Sequence, residues 1–223
     1  MKKQIEVFDD TLCALGEGVV WNFHRNSVIW FDIIGCTLFE KKLEEKKASL
    51  HKFEVPVSAC GWVDDTKLLV ATSKSLELFD LSNFSRELIQ PMEENNPITR
   101  SNDGRADPYG GFWIGTMGKN LEANAGAIYR YYKGELRTMY EPITVPNAIC
   151  FSPCGSKAYF SDTLQQVIWF VLLDSKGWPK SDPEVFINLK QENLLPDGAV
   201  IDIFGNLWNA QWGASRVAKY DSD

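Results

Sequence analysis

One motif recurs along this 223-residue chain, and its spacing leaves few architectures open. A full copy has a polar residue, a short apolar strand, a small or acidic residue, a glycine, and then an aromatic strand. Asn102, Asp107 and Gly110 lead into Phe112-Trp113-Ile114. Asn147, Ser152 and Gly155 lead into Ala158-Tyr159-Phe160. Asp197, Asp202 and Gly205 lead into Leu207-Trp208. The glycine falls eight positions after the polar residue each time. Two looser copies come first, beginning at Glu17 and Ala59.

The starting positions are separated by 42, 43, 45 and 50 residues. Those periods suit propeller blades, whose repeats usually run ~40–50 residues. Each repeat also has room for two outer strands. Third strands are expected at Thr37–Phe39, Leu76–Phe79, Ala127–Tyr131, Val167–Phe170 and Arg216–Ala218. Fourth strands are expected at Leu50–Val55, Glu87–Gln90, Leu136–Tyr140 and Glu184–Ile187. Aromatic residues make up 13% of the chain, a composition that favours pleated, half-buried surfaces. Loose helical spacing occurs only over Lys41–Phe53, where the repeat phase argues for strand, turn and strand. The expectation is a β-propeller of four-stranded blades. The fifth repeat stops after its third strand, and Gln4–Phe8 alternates like a strand that could complete it. The repeat count therefore allows a closed five-bladed ring.

The net charge of −7 argues against nucleic acid or anionic lipid as a partner. Lys2 and Lys3 are followed by Glu6, Asp9 and Asp10, so no secretory leader is expected. The longest apolar run, Val167–Leu173, is far shorter than a membrane span. Five cysteines without close repeated spacing point to reduced thiols rather than a disulfide framework, and a cytoplasmic location fits.

In a propeller the innermost strand of each blade faces the central channel. The equivalent positions hold Glu17, Ala59, Asn102, Asn147 and Asp197. Four are oxygen donors. Single Asn and Asp residues are ordinary turn formers, because their side chains bond nearby backbone. Four donors at one repeat position suit a hard cation instead. Calcium takes such ligands readily, and zinc, manganese or magnesium bound mostly by oxygen remain alternatives. Arg100 lies beside this position and could hold a carboxylate or a hydroxyl-rich ligand, or could pair with Asp103 or Asp107. The small and polar stretch Lys119–Gly126 suits either a lid or an exposed blade loop. No Gly-x-Ser-x-Gly elbow is present, and two histidines give little support for a serine triad or a cysteine nucleophile.

Several segments together match a known family. They are Leu15-Gly16-Glu17-Gly18 with Trp21, Phe31-Asp32-Ile33, Arg100 to Pro108, Gly111 to Met117, Val145-Pro146-Asn147-Ala148, Phe160-Ser161-Asp162-Thr163 and Pro196-Asp197-Gly198. They occur in family order and cover the chain. The chain resembles the SMP-30/gluconolactonase/luciferin-regenerating-enzyme family, also called regucalcin-like proteins. The resemblance implies a six-bladed propeller, so residues 1–223 are expected to be a single domain lacking its last blade. It implies one divalent metal ion, calcium first, held by Glu17, Asn147 and Asp197. It implies that Arg100 and Asn102 contact substrate and that Asp197 also serves as acid/base. The loop after Gly115-Thr116-Met117 contacts substrate in relatives, which makes Asn120 a further contact here. The implied reaction is hydrolysis of a sugar lactone to an aldonic acid. Two other readings stay open: a non-catalytic calcium-binding propeller, and a hydrolase of another ester or a phosphotriester.

Overall fold

The computed structural model describes residues 6–221. Their strands form five antiparallel sheets, each a simple meander from the inside outward. The first contains β1 (Gly16–Asn22), β2 (Ser27–Asp32), β3 (Thr37–Lys42) and β4 (Ser49–Lys52). The second contains β5 (Val57–Trp62), β6 (Lys67–Thr72), β7 (Ser75–Asp80) and β8 (Arg86–Pro91). The third contains β9 (Thr99–Ala106), β10 (Phe112–Gly118), β11 (Gly126–Tyr132) and β12 (Glu135–Ile143). The fourth contains β13 (Pro146–Phe151), β14 (Lys157–Asp162), β15 (Val167–Leu172) and β16 (Glu184–Asn188). The fifth has three strands, β17 (Leu195–Ile201), β18 (Leu207–Trp212) and β19 (Arg216–Tyr220).

The six-blade expectation is corrected by this count. The described residues hold five inner strands, β1, β5, β9, β13 and β17, one for each repeat start, and so five blades. The five-blade alternative is the one that matches. Among the described residues no N-terminal strand joins the fifth blade. Gln4 and Ile5 lie outside the described residues, and Glu6–Phe8 is not a strand. Lys41 of β3 holds this segment on the first blade instead. Its Nζ donates to the Phe8 carbonyl at 2.5 Å and pairs with Asp9 at 3.1 Å. The fourth strands appear as expected in the first four blades, and Lys41–Phe53 is strand, turn and strand.

The core is divided into slabs between successive sheets. Ile29, Phe31 and Leu38 meet Val57, Leu68 and Val70 between blades one and two. Ala71 and Leu76 meet Phe112 and Ile114 between two and three. Trp113 and Ile128 meet Ile149, Phe160 and Val171 between three and four. Tyr159 and Ile168 meet Ala199 and Leu207 between four and five. The second strand of a central blade is covered on both faces and is the most apolar, whereas the inner strand β9 carries the polar run Arg100–Arg105. β10 is buried along its whole length. Burying one large apolar side chain is worth about 1.5–3 kcal/mol, so these slabs rather than the hairpins hold the sheets together.

The sequence motif has a direct structural meaning. Its small or acidic residue and its glycine build the turn between the first and second strands of a blade. Asp107 Oδ1 accepts from the Tyr109 and Gly111 amides at 2.8 and 2.9 Å. Asp202 Oδ1 accepts from the Phe204 and Asn206 amides at 2.9 and 3.0 Å. The glycines Gly110, Gly155 and Gly205 have φ of 81°, 73° and 88°, a region that costs other residues steric strain. No helix among the described residues is long and apolar enough to cross a membrane.

Candidate metal-binding and active site

Every inner strand carries one extra residue relative to its neighbour, a β-bulge. Glu17 pairs with Phe31 and Val20 with Ile29. Asn147 pairs with Ser161 and Cys150 with Tyr159. Pro196 pairs with Gln211 and Ala199 with Asn209. Ser101 pairs with Thr116 and Gly104 with Ile114, and β5 slips likewise between Val57 and Ala59. Bulges bend a strand and redirect its side chains. Here they fall where the repeat places Glu17, Asn102, Asn147 and Asp197. Local backbone follows suit: Gly18 has φ +64° and Ala148 has φ +57°. A Cβ at Gly18 would lie 2.2 Å from the Ser58 carbonyl oxygen, so glycine is needed beside Glu17.

Three of the expected residues form one hydrogen-bonded row. Arg100 Nη1 donates to Asn102 Oδ1 at 2.8 Å. Asn102 Nδ2 donates to the Pro146 carbonyl at 3.0 Å and to Asn147 Oδ1 at 3.1 Å. Asn147 Nδ2 donates to Thr163 Oγ1 at 2.8 Å, and Thr163 Oγ1 donates to the Pro196 carbonyl at 2.7 Å. The row crosses from blade three to blade five and ends next to Asp197. Arg100, Asn102 and Asn147 are all buried. Among the described residues Arg100 forms no ion pair, and Asp107 is taken by Arg130 at 2.7 Å.

The charge of Arg100 acts on Glu17, and Glu17 in turn lies in the field of Asp197 and Asp103. No described side chain donates a hydrogen bond to the Glu17 or Asp197 carboxyl. Burial, then the charges on Asp197 and Asp103, push the Glu17 carboxyl up to about 8, with the Arg100 guanidinium opposing. Burial and then Asp103 raise Asp197. Asp103 is itself raised by burial, against Arg105 and the Ile149 and Gly104 amides. Three carboxyls thus share a region that disfavours their charge, the arrangement a bound cation relieves. Asp103 Oδ2 already accepts from the Ile149 amide at 2.8 Å. Among the described residues no three His, Cys, Asp or Glu side chains form a metal cluster by themselves. The oxygen donors that could serve an ion here are the Asn147 carboxamide and the Glu17 and Asp197 carboxyls. That all-oxygen set fits a hard divalent cation.

Ala59, the fifth repeat position, is fully buried and offers no donor. Asn120 is not in the row. It is exposed in the turn after β10, and its Nδ2 donates to Glu122 Oε1 at 3.0 Å. Two further residues of the site, Asp103 and Thr163, lie off the repeat position. Asp103 was masked by its neighbours in a dense polar run. Thr163 lies at the end of the second strand rather than at the repeat position, placed by Asp162, whose carboxylate accepts from the Thr144, Val145 and Leu164 amides. The cysteines are free, and burial above all pushes Cys60 and Cys150 up to about 12, which makes them poor nucleophiles.

The geometry can be set beside known proteins. The model of the SMP-30/Gluconolactonase/LRE-like region matches residues 15–223. A provisionally named sugar lactone lactonase of Rhizobium meliloti (strain 1021) is 39% identical over 213 residues, 94% of this chain and 71% of that protein. The L-arabinolactonase of Azospirillum brasilense is 34% identical over 226 residues, 99% of this chain and 74% of its own length. A crystal structure described as a calcium-binding protein, regucalcin, from Agrobacterium tumefaciens superposes with a TM-score of 0.94 at 38% identity, covering 97% of this chain and 74% of that one.

Proposed function

The chain belongs to the SMP-30/gluconolactonase/LRE-like family, and on that premise we propose that it hydrolyses sugar lactones at the bulged ends of its inner strands. The observation that carries the proposal is the buried row from Arg100 through Asn102 to Asn147, set against the carboxyls of Glu17 and Asp197. Two similar proteins are named as lactonases, and a row of fixed donors beside carboxylates is what opening a hydroxyl-rich ring ester needs.

Glu17, Asn147 and Asp197 would hold the divalent ion, calcium first. When bound, such an ion supplies Lewis-acid polarisation of a carbonyl oxygen. Arg100 spends one nitrogen on the Ser101 carbonyl and Asn102, which leaves guanidinium N–H groups for ring hydroxyls. Asn102 is fixed at both ends, so its position beside the substrate costs no reordering during reaction. Asp197 takes the proton of the attacking water, since no described side chain occupies its carboxylate. The active compartment is proposed to be the cytoplasm, and the partner a small sugar lactone.

A second reading, a calcium-binding propeller without catalysis, has the description of the Agrobacterium structure in its favour. Arg100 separates the two, because an ion held for structure alone needs no buried guanidinium with free donors. The test is a panel of aldonolactones, simple esters and phosphotriesters, with ion binding followed in parallel. Preferential lactone opening supports the lactonase. Ion binding by folded protein with no turnover on any class supports the second reading.

A further inference from the structure

Thr163 is fully buried and sits between the two arms of the candidate site that come from different blades. Its hydroxyl has one proton, and the Pro196 carbonyl can only accept. At 2.7 Å the proton is therefore committed to Pro196. The Thr163 oxygen must then accept, so the Asn147 atom 2.8 Å away is the amide nitrogen. The far end agrees independently. The Pro146 carbonyl can only accept, so the Asn102 atom beside it is the amide nitrogen, and that nitrogen faces Asn147 Oδ1. Arg100, a pure donor, requires oxygen on the other side of Asn102. The orientation of both carboxamides thus follows from donor counting alone.

We propose that Thr163 is a positioning residue that holds Asn147 with Oδ1 presented as a ligand and ties it to the segment carrying Asp197. Asn147 Oδ1 accepts once from Asn102 and keeps its second lone pair for an ion. Pro196 is joined to Asp197 by one peptide bond, so the same hydroxyl registers blade four against blade five at the site. Without it the Asn147 amide is a buried donor with no partner and the two ligand arms lose their direct link. The inference rests on the proposed function in taking Asn147 and Asp197 as ligands of one ion. Partners that orient metal ligands typically matter to affinity by about 10–100-fold.

The test uses the full chain with Thr163→Val, which keeps shape and removes both bonds, and Thr163→Ser, which keeps both. Calcium titration of metal-stripped protein should show affinity weakened about 10–100-fold in Thr163→Val and restored to within about threefold in Thr163→Ser. Should Thr163→Val fail to fold, Thr163→Ala deletes the same bonds and serves in its place. Wild-type affinity in a folded Val or Ala variant overturns the proposal. NMR of the Asn147 side-chain amide supplies a readout that needs no ion. Its protons should exchange slowly in wild type and Thr163→Ser and quickly in Thr163→Val, and unchanged exchange in Thr163→Val overturns the positioning role. Failure of wild type itself to bind any divalent ion would count against the ligand assignment of Asn147 and Asp197 and leave the amide exchange to decide the role of Thr163.

Discussion

Asn102 of β9 donates from Nδ2 to Oδ1 of Asn147 on β13, 3.1 Å away across the boundary between two blades. The bond joins the residue expected to touch substrate to a residue expected to hold the ion. Both side chains are buried, and both lie at bulges that interrupt regular pairing. The two side chains are thus held as one connected unit.

Asp197→Asn removes the proposed proton acceptor while keeping the side-chain shape. Turnover should fall by about 10²–10⁴-fold, the usual contribution of a general base. Circular dichroism should show the fold retained. Near-wild-type turnover in the folded variant would remove Asp197 from the base role.

Glu17→Gln takes one negative charge out of a region where Asp197 and Asp103 already oppose it. Divalent affinity should weaken by at least about tenfold, the equivalent of roughly 1.4 kcal/mol. Calorimetric titration of the metal-stripped variant measures this. An unchanged binding curve would take Glu17 out of the ion's coordination.

Arg130 and Asp107 form a fully buried ion pair, with the guanidinium also 4.5 Å from the Tyr132 ring centre and 4.3 Å from that of Trp178. Arg130→Met would leave Asp107 charged, buried and unpaired. The expected loss is about 3–5 kcal/mol of stability, as for other broken buried pairs. Urea unfolding checks it, and a loss below about 1 kcal/mol, the scale of an exposed pair, would contradict the structural role given to this pair.

Trp208 Nε1–H and then the Asn206 amide hold the Asp202 carboxyl down at about 2, against an ordinary value of 3.8. A depressed folded value means that ionised Asp202 favours the fold. Its contribution is present above 3.8 and is lost as pH falls through about 2. Urea midpoints between those two pH values should fall less steeply in Asp202→Asn than in wild type. Equal slopes would remove Asp202 as the source.

The repeat was legible because propeller blades must reuse one turn and one inner strand, and Asp107, Ser152 and Asp202 with their glycines mark that turn. The proposed site residues Glu17, Asn102, Asn147 and Asp197 share one phase of that repeat, which is what singles them out in the sequence. The bulges could not be found that way, because Gly18, Asn102 and Ala148 at the same place share no residue type. Thr163 escaped for a related reason: it reaches the site from a connection, outside the repeat position. Blade number was carried over from a resemblance, whereas the described residues supply five inner strands. Alternation in Gln4–Phe8 says nothing about which edge a segment meets, and Lys41 draws Phe8 and Asp9 to the first blade.

The most direct measurement is the initial rate of aldonolactone opening by metal-stripped protein as calcium, zinc, manganese or magnesium is restored. A metal-dependent lactonase should show a negligible rate without ion and a saturable rise with at least one of them, absent in Asp197→Asn. A rate no greater than spontaneous hydrolysis, from folded protein shown to have bound the ion, would contradict that activity.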